Sequence, residues 1–183
     1  MKPGAFPVTA NSRFADSNST GRHGMLEWLT GEMPNGKWMT WLARETMETM
    51  NTFAEAKDHL MNTEMLSPVY YILSGTKRDE ARVISRSYEK TDILTEIKSR
   101  KDPWFLLQTN YDPDTEPWWI DDRQTPGEKC MHKLGKNDVG FQGIYNVLSS
   151  SCNFNNLTTY TALMHTYTGE FETHLQNCKG VCW

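Results

Sequence analysis

Apolar positions recur at helical intervals through the first third of the chain. Met25, Leu26, Trp28 and Leu29 fall within residues 23–30, and Trp38, Met39, Trp41, Leu42 and Met47 within 37–50, so both stretches read as helices with an apolar face. Thr52-Phe53-Ala54-Glu55 has the spacing of a capping box, and Phe53, Ala56, Leu60 and Met61 recur behind it, which predicts a third helix. Ahead of these, Ala5-Phe6-Pro7-Val8-Thr9 reads as a short strand and Asp16 to Gly21 as a polar loop. Trp38 and Trp41 lie three apart on one predicted helix and are expected to pack in the core rather than against a membrane.

The pattern changes after Pro68. Val69-Tyr70-Tyr71-Ile72-Leu73, Ala81-Arg82-Val83-Ile84, Ile93-Leu94 and Trp104-Phe105-Leu106-Leu107 are short runs, rich in β-branched and aromatic residues, separated by polar turns. Such runs predict an antiparallel meander. Helices are expected again from Thr125-Pro126 to about Leu134 and from Val139 to Ser149, followed by a hairpin of Leu157–Tyr167 and Glu170–Leu175 turning at Thr168-Gly169. Helices, strands, helices and strands in that order suggest sheet layers covered by helices in one domain spanning residues 1–183.

Composition narrows the function. Acidic and basic residues are interspersed and the formal net charge is -4, a balance that argues against a nucleic-acid partner. Apolar runs such as Val69 to Leu73 fall far short of the roughly 20 residues that span a bilayer. No signal peptide is visible, since Met1-Lys2-Pro3-Gly4 leads directly into a strand-like segment. Asn18-Ser19-Thr20 and Asn156-Leu157-Thr158 are sequons, so Asn18 and Asn156 are candidate glycan acceptors in a secretory protein. Of the four cysteines, Cys178 and Cys182 lie four apart near the terminal Trp183 and form either a small disulfide loop or half of a metal site. Zinc would need two further ligands. Cys130, Cys152 and the scattered histidines show no paired ligand spacing, so the disulfide is the reading taken, with no metal. Oxidised cysteines imply a secretory or lysosomal compartment.

Two segments could carry chemistry. Gln108-Thr109-Asn110-Tyr111-Asp112 follows a buried-looking strand, where the Asn110 amide could act as a donor to a developing oxyanion. Asn110 and Asp112 could equally form a turn before Pro113. Asp121-Asp122-Arg123-Gln124-Thr125-Pro126 opens a helix, so Asp121, Asp122 and Arg123 are either a helix-terminal charge cluster or a site containing a catalytic Arg. Trp118-Trp119 beside them could line an apolar pocket or belong to the core.

These segments, with Lys2-Pro3-Gly4, Asn11-Ser12-Arg13-Phe14, Gly24-Met25-Leu26-Glu27-Trp28-Leu29, Asn156-Leu157-Thr158-Thr159-Tyr160-Thr161 and the Cys-x3-Cys tail, occur in an order that closely resembles the acid ceramidase family. The related N-acylethanolamine acid amidases look similar across the Thr-Asn-Tyr-Asp and Asp-Asp-Arg segments. The resemblance implies an α+β fold, part of a four-layer αββα N-terminal-nucleophile hydrolase sandwich with mostly antiparallel sheets, its N-terminal strands missing from this chain. The activity it implies is cleavage of the ceramide amide to sphingosine and fatty acid, by a Cys that supplies both the attacking sulfur and, through its own amine, the base. No cofactor is implied. In the family the Asn of Thr-Asn-Tyr-Asp helps form the oxyanion hole, which matches Asn110, and the first Arg after the Asp-Asp pair belongs to the active-site network, which matches Arg123. Both become the preferred catalytic residues.

The chain also departs from the family. The family nucleophile is a Cys followed by Thr-Ser, whereas the four cysteines here precede Met131, Asn153, Lys179 and Trp183. No residue of this chain therefore matches the nucleophile, and the chain alone is expected to be inactive. Where the family carries an active-site Glu, this chain has Ser12. The resemblance further implies that Cys130 pairs with a cysteine of an upstream α-subunit, that ceramide or another N-acyl lipid is the substrate with some contact to a lipid surface, and that the protein is lysosomal or secreted. An N-acylethanolamine amidase and a non-catalytic lipid-binding relative are the alternative readings.

Overall fold

The computed structural model describes residues 1–13, 24–100, 103–150, 153 and 158–175. They fall into two compact units, one of Met1–Thr115 with Thr166–Thr168 and one of Glu116–His165 with Gly169–Trp183.

In the first unit, strands β1 (Val8–Ser12), β2 (Val69–Ser74), β3 (Ala81–Arg86) and β4 (Thr91–Glu96) form an antiparallel sheet in the order β1-β2-β3-β4. The meander after Pro68 thus forms as expected through β4. β1 begins at Val8 rather than Ala5, and Phe6 is held in an isolated bridge with Lys2. Helices α2 (Met39–Thr49) and α3 (Phe53–Asn62) cover one sheet face. Their inward stripes are Met39, Leu42, Ala43, Thr46 and Met47 on α2, and Phe53, Ala56, Leu60 and Met61 on α3, the spacing of a helical face. These meet Val69, Tyr71 and Leu73, alternate residues of β2 that point to one side of the pleat. The capping box forms: Thr52 Oγ1 accepts from Glu55 N at 3.2 Å and Glu55 Oε2 accepts from Thr52 N at 3.2 Å. At the other end of α3, the fully buried Arg86 donates to the carbonyls of Leu60 and Thr63, placing a cation where the helix carbonyls lack partners.

Two expectations fail here. Trp38 and Trp41 are not core residues, being 41% and 62% exposed. The stripe through Met39, Leu42 and Thr46 takes the sheet, and that phase turns Trp41 outward. Residues 104–107 are not a strand either, and the chain there has no regular structure. Their continuous apolar run pairs with no strand of the sheet, and a run of apolar residues without a ladder is not a strand.

Helix α1 (Gly24–Thr30) attaches through its first residue. Gly24 is buried, and a Cβ there would lie 2.2 Å from the Leu66 carbonyl oxygen, so only glycine permits this approach. Met25, Leu26, Trp28 and Leu29 remain substantially exposed.

The second unit contains α4 (Gln124–Leu134), α5 (Phe141–Leu148) and the hairpin β5 (Tyr160–His165) with β6 (Glu170–Leu175). Gly127 and Met131 of α4, Val147 of α5 and Leu163 of β5 are its buried residues. α4 ends at Gly135, whose φ of 76° lies in the region that glycine adopts without strain. The fold is α+β with antiparallel sheets, as expected. Among the described residues no helix is long and apolar enough to cross a membrane.

Candidate functional site

Two stretches far apart in sequence are bound to each other at the end of the sheet. The antiparallel register sets Asn11 opposite Tyr70, Tyr70 opposite Ser85, and Ser85 opposite Ile93, so these residues share the sheet face away from α2 and α3. From that face Asn11 Nδ2 donates to the carbonyls of Gln108 at 3.0 Å and Thr109 at 3.2 Å. In return, Asn110 Nδ2 donates to the Ser12 carbonyl at 2.8 Å. Gln108 Nε2 donates to the Tyr111 carbonyl at 2.8 Å and tightens the loop from within.

Charge completes the link. Arg13 Nε and Nη2 donate to Asp112 Oδ1 and Oδ2 at 2.8 and 2.7 Å, a two-pronged pair whose planar geometry only arginine provides. Arg13 Nη1 also pairs with Asp92. The Arg13 side chain is only 7% exposed, and its guanidinium carbon lies 5.7 Å from the centre of the Tyr70 ring. Tyr70 Oη donates to Asp112 Oδ1 at 2.7 Å. Asp92 reaches this cluster because the β3–β4 register shifts between Ser85 and Arg86: Ser85 pairs with Ile93 and Arg86 with Thr91, leaving Asp92 as the extra residue of a bulge, a device that redirects side chains.

The electrostatics follow from these contacts. Partial burial alone would raise the Asp112 carboxyl, but hydrogen bonds from Arg13 and Tyr70 outweigh it and hold the group below the usual carboxylate range. Burial would lower the Arg13 guanidinium, and the two aspartates more than offset that. Burial and the Asp112 charge both push the Tyr70 phenol upward, so it stays a donor. Beside the cluster lies a cleft of about 500 Å³ lined by Ser12, Arg13, Trp38, Met39, Thr40, Ser67 and Pro68. Its walls combine apolar surface with three hydroxyl groups.

The other expected site residues that are described belong to the second unit. Arg123, in the second unit, is partly buried and forks onto Asp121 at 3.0 and 3.1 Å. Asp122 Oδ1 accepts from Thr125 N at 2.9 Å at the start of α4, and this backbone bond lowers its carboxyl. Trp118 and Trp119 are exposed rather than core. Cys130 is a half-buried free thiol on α4, its sulfur 4.0 Å from Ser150 Oγ. Asn18, Asn156, Cys152, Cys178 and Cys182 lie outside the described residues. Among the described residues no cluster of three His, Cys, Asp or Glu side chains could hold a metal.

Comparison with known proteins sets this arrangement in a family. No family model matches the chain. Human acid ceramidase is 36% identical over 182 residues, covering 100% of this chain, and the mouse enzyme is 37% identical over the same span. The chain is similar to the acid ceramidases along its whole length. It spans 45% of the length of these relatives. Among solved structures, the Caenorhabditis elegans ortholog of N-acylethanolamine-hydrolyzing acid amidase matches with a TM-score of 0.75 and 25% identity, over 96% of this chain and 74% of that one. In the sequence, Arg13 and Asp112 were legible only as members of motifs, and Tyr70 only as part of an apolar strand. Asp92 carried no signal, because a bulge is not visible as a pattern of residue types.

Proposed function

We propose that the protein to which this chain belongs hydrolyses the amide of N-acyl lipids, with ceramide as the substrate and sphingosine and fatty acid as products. The observation that carries the reading is the Asn110 amide anchored on the Ser12 carbonyl at 2.8 Å, a donor held by the fold before any substrate arrives. Preorganised donors of this kind stabilise the oxyanion of acyl transfer without reorganising during the reaction. In this reading an N-terminal Cys outside these 183 residues attacks the amide carbonyl through its thiolate. The C–N bond breaks, the amine leaves with a proton, and water then hydrolyses the thioester. Asn110 stabilises the oxyanion, and Arg123, forked onto Asp121, is the second catalytic residue that the resemblance to the family supports.

The adjacent cleft supports the substrate class. Trp38, Met39 and Pro68 offer apolar surface to an acyl or sphingoid chain, while the hydroxyls of Ser12, Thr40 and Ser67 suit a hydroxylated head group. The exposed side chains of α1 together with Trp41 favour contact with the lipid surface that presents the substrate. A lysosomal or secreted location and an α-subunit joined through Cys130 complete the proposal.

The likeness to the nematode amidase favours N-acylethanolamines as the second substrate class. Ser12, in place of a carboxylate, favours a lipid-binding relative without turnover as the third reading. The test is to express the whole gene product, extended upstream through a Cys-Thr-Ser start, and assay ceramide and N-acylethanolamine at acidic pH alongside lipid binding. Faster turnover of ceramide supports the proposal; faster turnover of the ethanolamide replaces the substrate, and binding without turnover removes the enzyme.

A further inference from the structure

Nothing in the chemistry of an oxyanion donor requires an arginine and three acidic or phenolic partners beside it, yet the Asn110 segment carries that cluster. The amide of Asn110 has two N–H hydrogens, and its bond to the Ser12 carbonyl fixes the plane in which both lie. That bond persists only while the backbone near residue 12 stays against the backbone near residue 110. Residues 104–112 have no strand ladder or helix to keep them there. Holding falls to side chains: Asn11 on one flank of Ser12, bonded to the carbonyls of Gln108 and Thr109, and Arg13 on the other, forked onto Asp112. Residues 11, 12 and 13 thus meet residues 108 to 112 in one clasp, with the Asn110 bond between its two jaws.

The two jaws differ in strength. Asn11 makes neutral bonds to carbonyls, whereas charge-assisted two-pronged bonds are roughly twice as strong. Arg13 is further tied to β4 through Asp92 and to β2 through the Tyr70 ring, and Tyr70 Oη binds the same carboxylate that Arg13 holds. Three strands of the sheet therefore fix the position of Asp112, two residues from Asn110.

We propose that Arg13 is a positioning residue: tied to Asp92 and forked onto the Asp112 carboxylate that Tyr70 also binds, it sets the plane of the Asn110 amide for the reaction without touching substrate carbonyl itself. This rests on the reading of Asn110 as oxyanion donor. The Asp112 carboxyl, held below the usual carboxylate range by Arg13 and Tyr70, keeps its pairing until the pH falls through that lowered value. Arg13 stays protonated, and Asp112 faces Arg13 and the Tyr70 hydroxyl. Asp92, which also accepts from Ser87 Oγ at 3.0 Å, faces Arg13 from β4.

The experiment uses the whole gene product with Arg13→Lys, Tyr70→Phe and Asn110→Ala. Lysine keeps the charge but cannot fork, and Tyr70→Phe removes one bond to Asp112 while leaving the arginine pair, so it is the variant least exposed to misfolding. The inference expects kcat to fall about tenfold or more in Arg13→Lys with KM changed less than about twofold, the signature of an interaction that matters in the transition state. It also expects the acid limb of the kcat profile to move to higher pH in Tyr70→Phe, as Asp112 becomes easier to protonate. Hydrogen exchange at the backbone amides of 108–112 should quicken in both variants. Quickened exchange with unchanged kcat and an unmoved acid limb would make the clasp purely structural and overturn the inference. If the Asn110→Ala protein turns over like the wild type, the fault lies in the oxyanion reading itself, and if the wild type cleaves no N-acyl amide, in the proposed function.

Discussion

Asn110 reaches across 98 residues of sequence to place its side-chain amide 2.8 Å from the Ser12 carbonyl oxygen. The acceptor is backbone, so the side chain at position 12 can change without breaking the bond. Ser12→Ala is therefore expected to alter thermal stability by less than about 0.5 kcal/mol, as for surface changes that remove no buried partner. Asn110→Ala removes the donor and is expected to lower kcat of the whole gene product by roughly a hundredfold to a thousandfold, the usual consequence of deleting one oxyanion donor. Steady-state kinetics with a near-constant KM would distinguish this from loss of binding.

The Asp112 carboxyl gives a pH signature. Its folded pKa lies below the unfolded value of about 3.9 because of the Arg13 and Tyr70 bonds, which outweigh the effect of burial. A group depressed in this way adds stability that is fully present above the unfolded pKa and is lost as pH falls through the lower folded pKa. Asp112→Asn abolishes that contribution. Urea midpoints measured from pH 6 down to pH 2 should fall less steeply in the variant than in the wild type below about pH 4. Parallel curves would show that the pair contributes nothing to acid stability.

Much of this was legible in the sequence, and the failures share a physical cause. The capping box at Thr52 and Glu55 and the stripes of α2 and α3 are local patterns, and local patterns survived. Residues 104–107 read as a strand because Trp-Phe-Leu-Leu suits a sheet, but a strand needs a neighbouring ladder, and short-range pattern does not report one. Trp38 and Trp41 failed for a similar reason. Their spacing of three is as compatible with an outer face as with the inner one, and the longer stripe through Met39, Leu42 and Thr46 decided the phase. Asn110 and Asp112 were visible as residues with either a turn or a site role. What joined them to Ser12 and Arg13 was contact between chain segments nearly a hundred residues apart, which no local pattern reports.

The phase of α2 can be checked directly. Leu42 is fully buried among Phe6, Ala56, Leu60 and Tyr71, so Leu42→Ala is expected to cost about 2–5 kcal/mol by creating a cavity. Trp41→Ser one position earlier should stay within about 0.5 kcal/mol, because most of that side chain is already in water. Denaturant midpoints for the two variants measure the contrast. Equal losses would place Trp41 in the core after all.

Among the described residues no carboxylate is bound to the Arg86 guanidinium by a direct hydrogen bond; its acceptors are the carbonyls of Leu60, Thr63 and Lys90. Burial lowers its pKa, opposed by the fields of Tyr71 and Asp92. Arg86→Met fills similar volume but leaves the Leu60 and Thr63 carbonyls at the end of α3 without this donor, whereas the Lys90 carbonyl still accepts from Ser87 N at 3.1 Å. With each buried unsatisfied group costing about 1–3 kcal/mol, the loss should be about 2 kcal/mol or more. Arg86→Lys restores the charge but not the spread of donors and should recover only part of that. A calorimetric melt in which the methionine variant matches the wild type would mean that water serves those carbonyls equally well.

The cysteines of this chain predict where turnover cannot come from. In the proposed reaction one Cys supplies the thiolate and its own free amine takes the proton, which demands that its nitrogen not be in a peptide bond. Cys130 lies inside α4, its nitrogen part of the helix backbone, and its sulfur has Ser150 Oγ at 4.0 Å. Cys152, Cys178 and Cys182 are likewise joined to residues on both sides in the sequence. None can fill both roles, and loss of the nucleophile in hydrolases costs on the order of a millionfold in rate. The 183-residue chain expressed alone is therefore expected to release no fatty acid from ceramide or N-acylethanolamine above background. In the whole gene product, Cys130→Ser should leave kcat unchanged while releasing the α-subunit on a non-reducing gel. Turnover by the isolated chain, abolished by alkylating its thiols, would locate the chemistry here and overturn the assignment of the nucleophile to a residue outside it.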